Sequence, residues 1–126
     1  MEGAKIFAQK CAPCHGANGQ GTVAKALVGG RGTLASRNPQ KTVGSYWPFA
    51  TTVWDYINRA MPQMQEGTLK PAEVYALTAF LLYRNGIVQE NEVLDAQSLP
   101  KVQMPNRNGF IPAEPVWPLP QGSRRP

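Results

Sequence analysis

Both cysteines and the single histidine of this 126-residue chain fall in one short run, Cys11-Ala12-Pro13-Cys14-His15. A C-x-x-C-H run is typical of covalent attachment of a c-type haem. The spacing fits the chemistry, because the two thiols can add to the two vinyl groups of one porphyrin. The adjacent imidazole can then bind the iron as the proximal ligand. We therefore expect one haem c, held by thioethers at Cys11 and Cys14, with His15 on the metal.

Two other uses of this run, a zinc site and a redox dithiol, account for fewer of its features. A structural zinc site takes four ligands, whereas two cysteines and one histidine are the only thiol and imidazole groups available. A redox dithiol of the thioredoxin type belongs to a strand–helix unit, and no strand pattern precedes Cys11. Two cysteines are also too few for a disulfide-stapled scaffold.

The second axial ligand must be another residue type, because the chain has no second histidine. Methionine is the remaining soft, neutral ligand, and its thioether raises the reduction potential of the iron. Met1 is a terminus. We favour Met61, which stands in a Met-Pro step between two predicted helices, where a loop can cross the open face of the haem. The alternatives are Met64 in the same loop, Met104 in the tail, and an open iron position.

Apolar residues recur at helical spacing over residues 2–10, 51–60 and 70–84, which predicts three helices. No stretch of useful length alternates in the manner of a strand. Residues 11–50 are punctuated by glycines and indicate loops. Residues 100–126 hold seven of the 12 prolines. The sequence therefore predicts an all-α domain with large loops and a proline-rich tail.

The predicted helix ends carry local signals. Thr51 or Thr52 can cap the start of the second helix, and Asp55 can close a capping box on Thr52. Thr68 can cap the third helix. The pair Asn85-Gly86 supplies a left-handed stop after it.

Side chains around the haem are expected to come from these helices and loops. The expected apolar walls, each of which is also an ordinary core position, are Leu27, Val28, Val53, Trp54, Ile57, Leu77 and Leu81. Tyr46, Trp47, Arg31 and Arg59 can donate hydrogen bonds to haem propionates. We favour Trp47 and Arg59, because they flank the helix that leads to Met61.

The charge and hydropathy of the chain argue against two classes of protein. With 13 Lys+Arg against 8 Asp+Glu the formal net charge is +5. Apart from the pair Arg124-Arg125 the basic residues stand singly, unlike the dense stripe of a nucleic-acid-binding protein. No apolar run approaches the roughly 18 residues of a membrane span. No basic segment followed by an apolar one opens the chain, so we expect any export signal to be absent from this sequence. The basic balance favours docking on acidic partners.

The order of helix, C-x-x-C-H, loops, methionine loop and terminal helix resembles that of small class I cytochromes c. Gly3 and Phe7, facing Phe80, are similar to the residues at which that family crosses its first and last core helices. The resemblance implies a class I cytochrome c fold of three to four helices around one covalent haem. The proline-rich C-terminal extension follows it.

Longer blocks resemble the cytochrome c subunits of sulfite and sulfur dehydrogenases of the sulfur-oxidising (Sox) type. They are LVGGRGTL (27–34), SYWPFATTVWDYINRAMP (45–62), EVYALTAFLLYRNGIV (73–88) and MPNRNGF (104–110). The likeness covers nearly the whole chain. It implies a periplasmic subunit that takes electrons from a molybdenum-containing partner and passes them to another cytochrome. It also implies axial ligation by His15 and Met61.

The resemblance includes two departures. One is a second methionine, Met64, in the methionine loop MPQMQEG (61–67). The other concerns the residues before Leu27. Small cytochromes often have a proline shortly before the loop leucine, placed to accept a hydrogen bond from the proximal histidine. Here Lys25-Ala26 precede Leu27.

We divide the chain into a cytochrome c domain, residues 1–88, and a C-terminal extension, residues 89–126, that packs on the domain or on a partner. Phe110, Val116 and Trp117 are expected to anchor part of this extension.

The function that follows is transfer of one electron at a time by a monohaem c-type cytochrome, with no bond chemistry on a substrate and hence no enzymatic activity of its own. One alternative is a haem-based ligand sensor or peroxidase whose methionine dissociates. Another is an interaction module in which the haem only staples a small fold. The cytochrome interpretation places the protein in the periplasm, or otherwise exported.

Overall fold

The computed structural model describes residues 1–112. Within them lie four α-helices, one 3₁₀ turn and no β-strand. The helices are α1 (Glu2–Lys10), α2 (Ala12–His15), α3 (Ala50–Ala60) and α4 (Pro71–Arg84), and the 3₁₀ turn is Leu99–Lys101. The all-α class is confirmed, and the three predicted helices agree with α1, α3 and α4 to within one residue.

Helix α2 is a single turn that the glycine-rich pattern of residues 11–50 did not predict. Pro13 stands in its first turn, where the fixed φ of proline suits a helix and its missing N–H costs nothing. The Cys11 carbonyl accepts hydrogen bonds from the amides of Cys14 (3.1 Å) and His15 (2.9 Å). The attachment motif is therefore held in helical form as a continuation of α1.

Helices α1 and α4 pack closely where Gly3 meets Ala76 and Phe80. A Cβ on Gly3 would collide with the Ala76 carbonyl oxygen and with Cβ of Phe80. One turn further along, the Phe7 ring is 1% exposed, and its centroid lies 5.2 Å from that of Phe80. The predicted crossing of the first and last core helices is confirmed, and glycine permits it because it brings no side chain.

The predicted N-terminal caps of α3 and α4 were wrong. Helix α3 begins with Phe49 as its N-cap, so Thr51 and Thr52 already lie inside the helix and cannot cap it. The hydroxyl of Thr68 donates instead to the Gln65 carbonyl (2.7 Å). The N-cap of α4 is Lys70, whose amide donates to the Glu73 carboxylate (2.9 Å).

The end of α4 ties a distant loop to the helix. Gly86 has φ +74°, which confirms the predicted left-handed stop. The buried Asn85 side chain accepts from the Gly29 amide (3.0 Å) and donates to the carbonyls of Leu27 (3.2 Å) and Leu81 (2.8 Å). These bonds fix the loop that follows the attachment motif against the C-terminal end of α4.

Residues 89–112 return to the domain. Leu94, Leu99 and Met104 belong to the same buried core as the helices, and the 3₁₀ turn contacts α3. The predicted boundary at residue 88 stays a prediction. Residues 113–126, with Val116 and Trp117, lie outside the described residues. Among residues 1–112, no helix combines the length and the hydrophobicity that a membrane span needs.

Candidate functional site

A cavity of about 670 Å³ opens between the attachment motif and helices α3 and α4. Cys11, Cys14 and His15 line it, and so does Met61. The structure therefore brings together the two thiols, the imidazole and the thioether that the sequence analysis assigned to one haem. A cavity of this size, mostly apolar with a few polar groups, is typical of a cofactor site.

The imidazole of His15 is oriented by a main-chain acceptor. Its Nδ1 lies 2.7 Å from the Lys25 carbonyl oxygen. Because a carbonyl can only accept, Nδ1 carries the proton, which leaves the lone pair of Nε2 free for a metal. The loop that supplies this carbonyl is fixed to the motif by the Ala24 amide, which donates to the Cys14 carbonyl (2.9 Å), and by the Thr22 hydroxyl, which donates to the same oxygen (2.7 Å).

The two cysteines differ in exposure, and neither is in a disulfide. Burial raises the pKa of the Cys11 thiol to about 11, although the neighbouring Lys10 lowers it. Without haem, Cys11 is therefore a thiol and not a thiolate at neutral pH. Within residues 1–112 no group of three or more His, Cys, Asp or Glu side chains is placed to hold a metal ion.

The four methionines have different surroundings. Met61 is the C-cap of α3 and lines the cavity. Met64 is 88% exposed, whereas Met104 is 3% exposed and lies in the core. Met1 lines a separate groove beside α4. All four methionines lie within residues 1–112, and of these four only Met61 borders the cavity.

Five of the seven predicted apolar walls line the cavity: Leu27, Val53, Ile57, Leu77 and Leu81. Val28 and Trp54 do not. Trp54 lies on another face of α3, where its ring packs on Tyr75 with the centroids 5.2 Å apart. Helical periodicity identifies apolar positions, but it does not distinguish a core contact from a cavity wall.

Of the four predicted propionate donors, Tyr46 and Trp47 line the cavity and the two arginines do not. The Trp47 ring packs edge-on against Tyr56, with the centroids 5.6 Å apart. The guanidinium of Arg59 pairs with Asp55 at 2.9 Å on the exposed face of α3, which explains why it does not reach the cavity. Arg31 donates to the Asn85 carbonyl (3.2 Å).

Apart from His15, the acidic and basic side chains that line the cavity are all of one kind: they are lysines. Lys10, Lys25 and Lys41 border it, whereas no aspartate or glutamate does. The net charge of the chain does not reveal this arrangement. A signal was available, because no acidic residue occurs between Glu2 and Asp55.

Comparison with known families agrees with this geometry. The model of the family described as "Cytochrome c" matches residues 1–85. The chain belongs to the cytochrome c family. It therefore carries haem c, for which Cys11 and Cys14 provide one covalent attachment site, and residues 1–85 form an electron-transfer domain.

The cytochrome is also similar to solved structures. It matches a chain of the sulfane dehydrogenase SoxCD from Paracoccus pantotrophus at 45% identity, with a TM-score of 0.85. This match covers 88% of the cytochrome but 55% of that chain, so the cytochrome spans about half of its length. The resemblance to the Sox-type proteins is thereby confirmed.

A chain of the thiosulfate dehydrogenase TsdBA from Marichromatium purpuratum matches at 27% identity and a TM-score of 0.49. That match covers 64% of the cytochrome and 17% of the other chain. A comparison with curated protein sequences gave no match.

Proposed function

We propose that this cytochrome accepts single electrons from a molybdenum-containing sulfite or sulfur dehydrogenase and passes them to another cytochrome. The observation that carries the proposal is the 45% identity to a chain of the sulfane dehydrogenase SoxCD, over 88% of this chain. The exchange takes place in the periplasm, because covalent attachment of haem c follows export.

In this proposal Cys11 and Cys14 would hold the haem through thioethers, and His15 and Met61 would bind its iron. When bound, the haem supplies a one-electron couple between Fe(III) and Fe(II). The Lys25 carbonyl keeps the His15 imidazole in one tautomer and one orientation. The Met61 thioether favours the reduced iron and so raises the potential.

The apolar walls of the cavity also affect the reduction potential of the haem. Leu77, Leu81 and Val53 are buried apolar side chains that border it. They exclude water and lower the local dielectric, which affects the potential of a bound metal centre. Trp47 is the proposed hydrogen-bond donor to a propionate, because it borders the cavity and carries an indole N–H.

The lysines at the cavity indicate how a partner docks. Lys10, Lys25 and Lys41 border the cavity without a neighbouring carboxylate in its lining. Opposite charges on two proteins speed their encounter, and salt screens the effect over about 10 Å at 0.1 M. We therefore expect the electron donor to carry an acidic surface around the site from which it gives up electrons.

A stopped-flow experiment tests the proposed function. Oxidised holo-cytochrome is mixed anaerobically with a molybdenum-containing sulfite or sulfane dehydrogenase that lacks its own cytochrome, together with the sulfur substrate. The absorption of ferrous haem is then followed. We expect reduction that requires both enzyme and substrate, and that slows about tenfold between 0.01 and 0.2 M salt, since the Debye length falls from about 30 Å to below 10 Å. Reduction no faster than with substrate alone would overturn the proposal.

Charge variants separate docking from the haem chemistry. Lys10→Gln and Lys41→Gln should each slow the reaction and weaken its dependence on salt. Lys5→Gln is the matched control, because Lys5 is exposed on α1 but does not border the cavity. An equal effect of all three variants would contradict docking at the cavity.

A further inference from the structure

Residues 104–110, which we call the strap, form a compact turn after the 3₁₀ segment. Met104 anchors the strap in the core, where it is 3% exposed. The Arg107 amide donates to the Met104 carbonyl (3.1 Å), and the Gly109 amide donates to the Asn106 carbonyl (3.0 Å). A Cβ on Gly109 would collide with the side-chain amide of Asn106. The backbone of the strap therefore fixes where the Asn106 side chain points.

The strap holds Tyr46 through two separate contacts. The Asn106 Nδ2 donates to the main-chain carbonyl of Tyr46 (2.8 Å). The Phe110 ring packs edge-on against the Tyr46 ring, with centroids 5.1 Å apart and an interplanar angle of 67°. The Lys41 ammonium lies over the same tyrosine ring, 5.0 Å from its centroid. Tyr46 is thus fixed at its backbone and at its ring by residues some 60 positions later in the chain.

Tyr46 and the adjacent Trp47 both border the cavity. The strap does not border it, and it lies beyond residues 1–85, which the cytochrome c family model matches. The contacts with Tyr46 therefore connect an element outside the family core to one wall of the haem site.

We propose that the strap positions this wall, with Asn106 and Phe110 as positioning residues that set how much water reaches the haem and thereby the reduction potential. The inference rests on the proposed function, because it needs haem in the cavity. Water at the edge of a haem stabilises the oxidised form, whose iron carries the extra positive charge. Solvent access and local polarity are among the means by which a protein tunes a metal centre. Loosening the wall should therefore lower the potential.

Four holo-protein variants test the assignment. Asn106→Leu keeps the size of the side chain, adds no charge and removes the donor. Phe110→Ala removes the ring from a side chain that is 49% exposed, so folding should tolerate it. Gly109→Ala displaces the Asn106 amide by the collision described above. Asn108→Ala is the control, because Asn108 is exposed in the same strap.

The reduction potential is measured by spectroelectrochemical titration. We expect Asn106→Leu, Phe110→Ala and Gly109→Ala each to lower the equilibrium constant for reduction at least twofold, and Asn108→Ala to leave it unchanged. In a Tyr46→Ala background, Phe110→Ala should have no further effect, because it acts through the tyrosine ring. Wild-type potentials in the first three variants would overturn the inference. So would an equal effect of Phe110→Ala with and without Tyr46.

Haem content and the methionine-to-iron absorption band are recorded for every protein. Absence of covalent haem, or of this band, in the unmodified cytochrome would refute the proposed site itself. Normal haem content and band with unshifted potentials in the variants would refute only the role of the strap.

Discussion

The Nδ1 atom of His15 lies 2.7 Å from the carbonyl oxygen of Lys25. In the small cytochromes that the chain resembles, a proline often stands at this point of the loop. Any residue can provide a main-chain carbonyl, so the departure in sequence leaves the hydrogen bond intact. The contact depends on the path of the loop and not on the side chain at position 25.

Gly21→Ala should weaken this contact. Gly21 has φ +93°, and a Cβ there would lie 2.8 Å from the amide nitrogen of Ala26, next to the residue that supplies the carbonyl. We expect the unfolding free energy to fall by about 1–2 kcal/mol from backbone strain and the Nδ1 proton of His15 to exchange faster in NMR spectra.

Gly32→Ala is the matched control for that variant. Gly32 has a similar φ of +80°, but a Cβ there would meet nothing within 4 Å. Gly32→Ala should lower the unfolding free energy by a similar amount and leave the exchange of the His15 proton unchanged. Faster exchange in both variants would indicate general loosening instead of a local effect.

Met61→Ala should remove the methionine-to-iron charge-transfer band in the far red. The potential should fall by tenths of a volt, because axial ligands set haem potentials over about 0.8 V. The vacated position should bind carbon monoxide rapidly once the iron is reduced. Met64→Ala is the control, since that side chain is 88% exposed. Loss of the band in Met64→Ala, with Met61→Ala unchanged, would reassign the ligand.

The attachment motif and the helices could be predicted because local chemistry decides them. Three side chains within five consecutive residues define the C-x-x-C-H run. The periodicity of α4 and its Asn85-Gly86 stop need no long-range information. The residues that border the cavity depend on how distant segments meet, and here prediction was less complete. Arg59 stood beside the expected wall, but Asp55, one helical turn earlier, pairs with it at 2.9 Å.

Three further features depend on the path of the main chain, which residue types do not reveal. The His15 partner is a carbonyl, which every residue possesses. The pattern predicts Asn85 as part of a helix stop, and its side chain also bonds to Gly29 and Leu27. Met104 was considered as a ligand and lies in the core, because residues 89–112 fold back on the domain.

Gly3→Ala should destabilise the crossing of α1 and α4. The added Cβ would meet the Ala76 carbonyl oxygen, which belongs to helix backbone and cannot move aside like a flexible side chain. We expect a loss of about 1–3 kcal/mol in unfolding free energy, measured by guanidinium denaturation of the oxidised holo-protein. Gln9→Ala, at an exposed position of the same helix, should stay within about 0.5 kcal/mol of the unmodified protein. An equal loss in both variants would contradict the crowding argument.

Asp95 should make the start of the 3₁₀ segment sensitive to acid. Hydrogen bonds from the backbone amides of Ser98 (2.8 Å) and Gln97 (2.9 Å) lower the pKa of this carboxyl, and the Lys101 charge adds to the effect. Because the folded pKa lies below the ordinary value of roughly 3.9, the stabilisation is complete above that pH and is lost as pH falls through the folded pKa. The amide signals of Gln97 and Ser98 should therefore shift together in an NMR titration below pH 4. Asp95→Asn keeps an acceptor and should abolish the titration while preserving the turn, whereas Asp95→Ala should lose both. A titration that survives in Asp95→Asn would place the responsible carboxyl elsewhere.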